Sequence, residues 1–301
     1  MAQPFVSVVV PVLNGAPTIG DCLTSLLRAD YPEDRREIIV VDNGSTDRTP
    51  EIIRSHPVTH LLEGRRGPAI ARNCGIAASR GEILAFTDAD CVASTRWLRE
   101  IVRGFAEARI GGVAGEILPF PPQTPAEQYA ARLRHLSPER YLRRPVFPFA
   151  VTANLAFRRT VFDRIGGFDP ASPRGGESTD FCTRFFRRTG LALHFAAKAV
   201  VLHRHRRTAR ELFRQQWGYG RGHAYLYIKY AADIPWGWRQ SVTAYADLGR
   251  SAAAAAAAAT RRVAGRASRD DLHFATFDLL RKLALRGGFA RESLARGYVR
   301  F

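Results

Sequence analysis

Asp88 and Asp90 stand one residue apart at the end of an apolar run, Ile83-Leu84-Ala85-Phe86-Thr87. The run is continuous rather than alternating, which is the pattern of a strand buried on both faces of a parallel sheet. Its carboxylates then lie at the strand's carboxyl end, where open α/β sheets bind ligands. Side chains repeat every second residue along an extended chain, so Asp88 and Asp90 point to one side. Two hard oxygen donors that close suit Mg²⁺ or Mn²⁺ better than a soft metal, and an ion held there would neutralise a diphosphate. The alternative is structural: one carboxylate caps a helix starting near Ser94 and the other is solvated.

The elements that position this pair follow from periodicity and capping signals. A first strand covers residues 5–12, Asn14-Gly15 turns the chain, and Pro17 starts a helix to about residue 29. A second strand covers 37–42, and Thr49-Pro50-Glu51 reads as N-cap, first helical residue and an acid suited to the helix dipole. A short strand at 58–62, a glycine-rich loop at 64–67 and a helix at 69–78 lead into the strand before Asp88. A helix at 95–108 and a strand at 112–118 follow. Alternating strands and helices predict βαβ units with right-handed crossovers. The loops after the first, second and fourth strands then share one edge, where residues 11–14, 42–47 and 88–90 would frame a nucleotide site.

Past residue 118 the pattern changes. A proline-rich stretch at 119–148 carries a helical piece at 126–135, followed by a strand at 151–158, a short helix at 160–165 and a turn at 166–170. Residues 180–189 read as a helix, 191–202 as two short strands, and the remainder as helices at 209–230, through the run Ala252–Ala259, and at 272–285.

Two further positions bear on a nucleotide. Asp42 ends the second strand, where a carboxylate can accept the imide N–H of a uracil; alternatively it accepts the Gly44–Thr46 amides in an Asx-turn. Gly67-Pro68 makes a tight turn at a helix start, with Arg72 about one turn in. A helix N-terminus with a guanidinium favours phosphate, although Arg72 also reads as an ordinary surface arginine.

Composition narrows the classes. The 301 residues are 46% hydrophobic, enough for a sizeable core, and the formal charge is +17 with 45 basic and 28 acidic residues. From His203 onward, 19 basic and 7 acidic residues give a net of +12, so the excess is mostly C-terminal. It would serve nucleic acid, an anionic membrane surface or acidic substrates. Four cysteines without paired spacing predict neither a zinc site nor a disulfide framework, and fit a reducing cytosol. Neither a signal peptide nor a transmembrane helix is predicted. A dinucleotide oxidoreductase needs G-x-G-x-x-G after the first strand. A nucleotidylyltransferase needs a glycine-rich loop bearing Arg and Lys. The chain has Val12-Leu13-Asn14-Gly15 there.

The strings VSVVVPVLNG (6–15), VVDNGSTDRT (40–49), GPAIARNCGI (67–76) and FTDADC (86–91), in this order and spacing, resemble the family 2 glycosyltransferases. NLAFRRTVFDRIGGFDP (154–170), GESTDFCTRFFRRTG (176–190), AVVLHRH (199–205) and FRQQWGYGRG (213–222) extend the likeness across roughly residues 5–225. The resemblance implies an α/β GT-A fold, with a Rossmann-like, mostly parallel sheet flanked by helices and a helical C-terminal extension. It implies a nucleotide-sugar-binding half at 1–118, an acceptor-binding half at 119–225 and a basic extension at 226–301. Asp42 would contact the nucleobase, with backbone at Pro11 and Val12, and Asn14 beyond, lining its pocket. Gly67 and Arg72 would meet the nucleotide, Asp88 the ribose and sugar, and Asn154 the floor of the donor and acceptor pocket. Asp90, with Asp88 and His203 beside it, would hold Mn²⁺ or Mg²⁺.

The implied reaction is an inverting single displacement in which a nucleotide-sugar, of UDP type, gives one sugar to a hydroxyl on a glycan or lipid-linked acceptor. The family's base is commonly the second acid of G-E-D-x-D, where this chain has Ser178. Glu177 and Asp180 remain, three apart and on one face of a helix start; Glu177 is the favoured base, and the alternative is that both only complement the helix dipole. Arg214-Gln215-Gln216-Trp217 resembles the Q-x-x-R-W string of processive members with its arginine misplaced, so single-sugar transfer is expected. The extension carries Leu272, Phe274, Phe277, Leu279, Leu280 and Leu283 beside Arg281, Lys282 and Arg286. That helix would lie on anionic lipid or pack on the catalytic domain. The expected location is cytoplasmic, peripheral on the inner face of the plasma membrane, with no nucleic-acid partner. The rival is an impaired transferase homologue that binds membrane or nucleic acid through its basic surface.

Overall fold

A computed structural model describes residues 3–134, 136, 138–144, 146–234 and 237–298. The elements run β1 (Val6–Val12), α1 (Ile19–Leu27), β2 (Arg36–Asp42), α2 (Thr49–Arg54), β3 (Thr59–Leu62), α3 (Pro68–Ala78), β4 (Ile83–Thr87), β5 (Cys91–Ala93), α4 (Trp97–Arg103) and β6 (Ile110–Pro119). They continue with α5 (Pro125–Leu133), α6 (Pro138–Leu142), β7 (Asn154–Arg158), α7 (Arg159–Ile165), α8 (Glu177–Thr189), β8 (Ala192–His203), α9 (Ala209–Lys229), α10 (Trp238–Val263) and α11 (Arg269–Ala295).

The strands form one sheet in the order β3-β2-β1-β4-β7-β6-β8-β5. The β3-β2-β1-β4 half is parallel. β7 runs against both β4 and β6, β8 is parallel to β6, and β5 is antiparallel to β8. The sheet is thus mixed and mostly parallel, as the alternation of elements implied for its first half. Two readings change. The two short strands expected at 191–202 are a single strand, β8 (Ala192–His203), because the register against β6 shifts between Gly115 and Glu116 while β8 continues. The helix expected at 95–108 contracts to α4, and the residues just after Asp90 pair as β5. His135, the expected end of the helical piece near 126, lies outside the described residues.

The chain packs as two compact units, to both of which the 119–225 stretch contributes. The first comprises Met1–Phe120, Leu136–Ala171 and Glu177–His203 and contains the whole sheet. Its core explains why β1 reads as continuous. Val6, Val8, Val10 and Val12 join Ile19, Leu23 and Leu26 of α1 in one apolar cluster, while Val9 joins Phe86, Phe157, Phe162, Phe168 and Phe181 in another. Alternate residues of a strand point to opposite faces, and both faces are covered. Phe181 centres the second cluster, with ring centroids 4.7 Å from Phe168, 4.9 Å from Phe157 and 5.0 Å from Phe162. Burying each ring stabilises the fold by about 1.5–3 kcal/mol. α3 lies so close to the sheet that a Cβ on Gly75 would strike Val9 and crowd Val41.

The second unit comprises Pro121–His135, Ser172–Gly176 and Arg204–Phe301. Here α9 and α11 meet through glycines: a Cβ on Gly220 would strike the Leu285 carbonyl, and one on Gly288 the Trp217 carbonyl. α5 lays Tyr129 against Phe274 and Phe277 of α11, at centroid distances of 5.1 and 5.7 Å. The Tyr129 hydroxyl donates to Asp278 Oδ1 at 3.0 Å, and Asp278 Oδ2 accepts from Ser251 of α10 at 2.7 Å. α11 thus lays Phe274 and Phe277, both part-buried, against Tyr129, while Leu283 is 45% exposed.

Candidate active site

The carboxyl ends of β1, β2 and β4 adjoin at one edge, where Val12 pairs with Asp42 and Val9 with Phe86. The loops leaving them are laced together. Asn14, in the left-handed region at φ 53°, accepts the Thr46 amide at 2.8 Å through its side chain, and its own amide donates to Ser45 Oγ at 2.8 Å. Asn43, which no sequence signal singled out, ties two loops: its Nδ2 donates to the Glu63 and Arg65 carbonyls at 2.9 and 2.7 Å, and its Oδ1 accepts the Gly67 amide at 2.8 Å. Gly67 takes a φ of 147°, a region that favours glycine, and hands the chain to Pro68 at the first turn of α3. The Val12 carbonyl is taken by the Asn43 amide at 2.8 Å, while Pro11 lies at the strand's end, half-buried.

Asp42 is buried, and its Oδ1 accepts the Ser45 amide at 2.8 Å, so the Asx-turn is formed. Its Oδ2 lies 4.0 Å from Nε2 of His60, a buried nitrogen with no hydrogen-bond partner among the described residues. His60 went unremarked in the sequence because β3 alone gives no sign of what it faces.

Arg72 is no surface arginine. It is 3% exposed, and its guanidinium spans two carboxylates: Nη2 donates to Asp88 Oδ1 at 2.8 Å and Nη1 to Glu177 Oε1 at 3.3 Å. The Phe168 ring lies beneath, 5.8 Å from the guanidinium carbon. Asn73 fixes that ring's backbone, donating to the Phe168 carbonyl at 2.7 Å and accepting its amide at 2.8 Å. Adjacent residues of α3 therefore hold the two sides of one cation site.

Asp90 approaches from the turn after β4, where the Cys91 amide donates to the Asp88 carbonyl at 3.0 Å. The β5–β8 pairing sets Cys91 opposite His203. His203 Nε2 lies 3.4 Å from Asp90 Oδ1, and donor atoms of Asp90, Cys91 and His203 all lie within 4.8 Å of one another. Burial, reinforced by the Asp90 and Asp88 carboxylates, pushes the Cys91 thiol far above the usual thiol range. Cys91 packs in the apolar core, and a hard ion such as Mn²⁺ favours the carboxylate and the imidazole over a sulfur ligand. Asp88 stands outside that group, its Oδ1 held by Arg72.

Two further candidate residues lie deep in the fold. Asn154 is completely buried and its amide is spent: Oδ1 accepts from Trp97 Nε1 at 2.8 Å, and Nδ2 donates to the Glu116 and Ala199 carbonyls at 2.8 Å each. These three bonds brace the sheet from within. Asp180 is likewise fully buried, with Oδ2 accepting from Arg184 Nε at 2.9 Å. The same guanidinium donates to the Ile165 and Gly167 carbonyls at 2.8 Å each. Glu177 opens α8 on the Arg72 side, and Ser178 follows it, half-buried.

The fold that carries this sheet edge has counterparts among known proteins. The family model described as Glycosyl transferase family 2 matches residues 7–166. The chain is 34% identical over 233 residues to Glycosyltransferase AglE of Haloferax volcanii, covering 75% of each chain. It is 29% identical over 236 residues to the pre-mycofactocin glycosyltransferase of Mycobacterium tuberculosis, covering 75% of this chain and 48% of that one, so it spans about half the length of that relative. Among solved structures it is similar to the mannosyltransferase PcManGT of Pyrobaculum calidifontis in complex with GDP-Man and Mn²⁺, at a TM-score of 0.67 and 23% identity over 98% of this chain and 89% of the other. Glucosyl-3-phosphoglycerate synthase of Mycobacterium tuberculosis, in complex with Mn²⁺, UDP and glucosyl-3-phosphoglycerate, matches at a TM-score of 0.54 and 23% identity over 75% of this chain and 79% of that one. These structural likenesses carry the fold. The chain belongs to glycosyl transferase family 2. It is a glycosyltransferase.

Proposed function

We propose that the protein transfers one sugar, with inversion, from a nucleoside-diphosphate sugar of UDP type to a hydroxyl of a lipid-linked or cell-envelope glycan acceptor. The observation that carries this reading is the convergence of Asp90 and His203 with the Arg72-bridged carboxylates Asp88 and Glu177 at one sheet edge. The 1–118 stretch would bind the donor, 119–225 the acceptor, and 226–301 would add a basic extension at the inner face of the plasma membrane.

Asp90 and His203 would hold Mn²⁺ or Mg²⁺, which when bound offsets the charge developing on the departing diphosphate. Asp42 has Oδ1 committed to its own turn and would offer Oδ2 to a base N–H. Gly67 presents the N-terminus of α3 to phosphate. Arg72 would orient Asp88 toward ribose and sugar. Glu177 would take the proton of the acceptor hydroxyl as the single base. Glu177 is itself buried at 7% exposure but lies beside Asp88 through Arg72, which favours it over Asp180, the partner of Arg184. Ser178, where the family commonly has its base, favours a second reading, an impaired transferase that still binds its donor.

The test is a panel of nucleotide sugars with Mn²⁺, read as nucleoside diphosphate release and as heat of binding. UDP-sugars should bind only with metal and turn over with acceptor. GDP-mannose binding in preference to every UDP-sugar overturns the donor class. Binding without turnover on any acceptor selects the impaired reading, and no binding to any donor removes both.

A further inference from the structure

Among the described residues, the second unit leaves one face of α10 largely open. In α10, Ser241, Ser251 and Ala258 are buried, and Asp247 of the same helix meets Lys282 of α11 at 2.9 Å. A different face is apolar and open. Trp238 is 72% exposed, Val242 57%, Tyr245 48% and Val263 92%, with exposed Ala252 and Ala256 between them. At 3.6 residues per turn these six positions fall within roughly 40° of one line, running ~39 Å along the 26-residue helix.

A basic row flanks this stripe. Arg239, Arg250 and Arg261 recur at every eleventh position, which sets them in a second line roughly 120° round the helix. All three are exposed. The Arg239 guanidinium lies 5.5 Å from the Trp238 ring, and Arg250 reaches Asp247 at 3.3 Å. An apolar band with aromatic residues at one end and arginines along one flank is the form of a helix that lies in a bilayer interface.

We infer that α10 docks the protein on an anionic lipid surface, with the Trp238–Val242–Tyr245 stripe entering the acyl boundary and Arg239, Arg250 and Arg261 meeting lipid phosphates. Charge complementarity decides the occupant: from Arg204 onward the chain has 19 basic and 7 acidic residues. Of the acids on α10's neighbours, Asp278 is covered by Ser251, Arg281 and Lys282. The inference rests on the membrane part of the proposed function and names its surface. That surface is α10, in place of the α11 residues Phe274 and Phe277 singled out by the sequence, which lie against Tyr129.

The experiment is co-sedimentation of the full chain with phosphatidylcholine vesicles, with and without phosphatidylglycerol, plus quenching of tryptophan emission by brominated acyl chains. The wild type should bind anionic vesicles at least ~10-fold more tightly than neutral ones, and salt should weaken this. Trp238→Ser/Val242→Ser/Tyr245→Ser should lower binding by ~10-fold or more and abolish the quenching of residue 238, with unchanged far-UV circular dichroism. Arg239→Gln/Arg250→Gln/Arg261→Gln should remove the preference for anionic lipid. Equal binding by the wild type to both vesicles, or stripe variants that bind as the wild type does, would overturn the inference. So would a lipid-free wild-type dimer that the stripe variant converts to monomer with no vesicle binding, since the occupant is then a second copy. Donor binding heat, measured on the same samples, should be unchanged in both variants; its absence throughout counts against the transferase reading and leaves the vesicle result standing.

Discussion

His203 Nε2 lies 3.4 Å from Asp90 Oδ1 because β5 and β8 pair antiparallel with Cys91 opposite His203. A ladder of backbone hydrogen bonds, rather than a flexible loop, therefore sets the spacing of the two proposed metal donors. Asp90→Asn should abolish Mn²⁺-dependent donor binding, and His203→Ala should weaken Mn²⁺ by ~10-fold or more, both measured by titration calorimetry with UDP. Unchanged metal dependence in both variants would place the ion elsewhere.

Glu177 and Asp180 should part company. Glu177→Gln is expected to keep donor binding and lose transfer by about 10²–10⁴-fold, the usual contribution of a positioned base. Asp180→Asn removes the charge partner of a nearly buried guanidinium and should cost about 3 kcal/mol of stability in urea denaturation. An Asp180→Asn protein as stable as the wild type but without turnover would reverse the two roles.

Asn154→Ala tests a brace rather than a binding group. It strands Trp97 Nε1 and two backbone carbonyls in the interior, each costing about 1–3 kcal/mol. The urea midpoint should fall sharply, and donor affinity of the folded fraction should not change. Normal stability with lost donor affinity would restore the role that the sequence resemblance assigned.

The Ser251–Asp278–Lys282 cluster predicts acid sensitivity in the second unit. Burial alone would raise the Asp278 pKa, but hydrogen bonds from Ser251, Arg281 and Lys282 outweigh it and hold the carboxyl well below its ordinary value. The folded state therefore favours the ionised form. This contribution is complete above the unfolded value, near ~3.9, and is lost as pH falls below it toward the folded value. Thermal melts between neutral pH and about pH 2.5 should show the loss, and Asp278→Asn should be less stable at neutral pH with a flatter acid limb.

What the sequence made legible is local or periodic. The β4 strand and its two carboxylates could be read because burial on both faces leaves an uninterrupted apolar run. The converging loops followed from the handedness of βαβ crossovers. The bracing bonds of Asn154 were not legible because its three partners lie 38, 45 and 57 residues away, and no local pattern marks a side chain that bonds across a sheet. Helix spacing placed Asp180 close behind Glu177 as a candidate base and gave no sign that Arg184, one turn on, pairs with Asp180 in the interior. The Phe274 and Phe277 face of α11 has the composition of an interfacial helix, and nothing local in the sequence announces that both rings pack on Tyr129.

The Tyr129–Asp278 hydrogen bond joins residues 149 positions apart. During synthesis α5 leaves the ribosome long before the helix that covers it. At ordinary elongation speeds its Tyr129 waits roughly 7–30 s for α11. A chaperone that shields exposed apolar helices would have its principal window there, and a nascent chain stalled before residue 269 would carry a bare Tyr129 surface ready to aggregate.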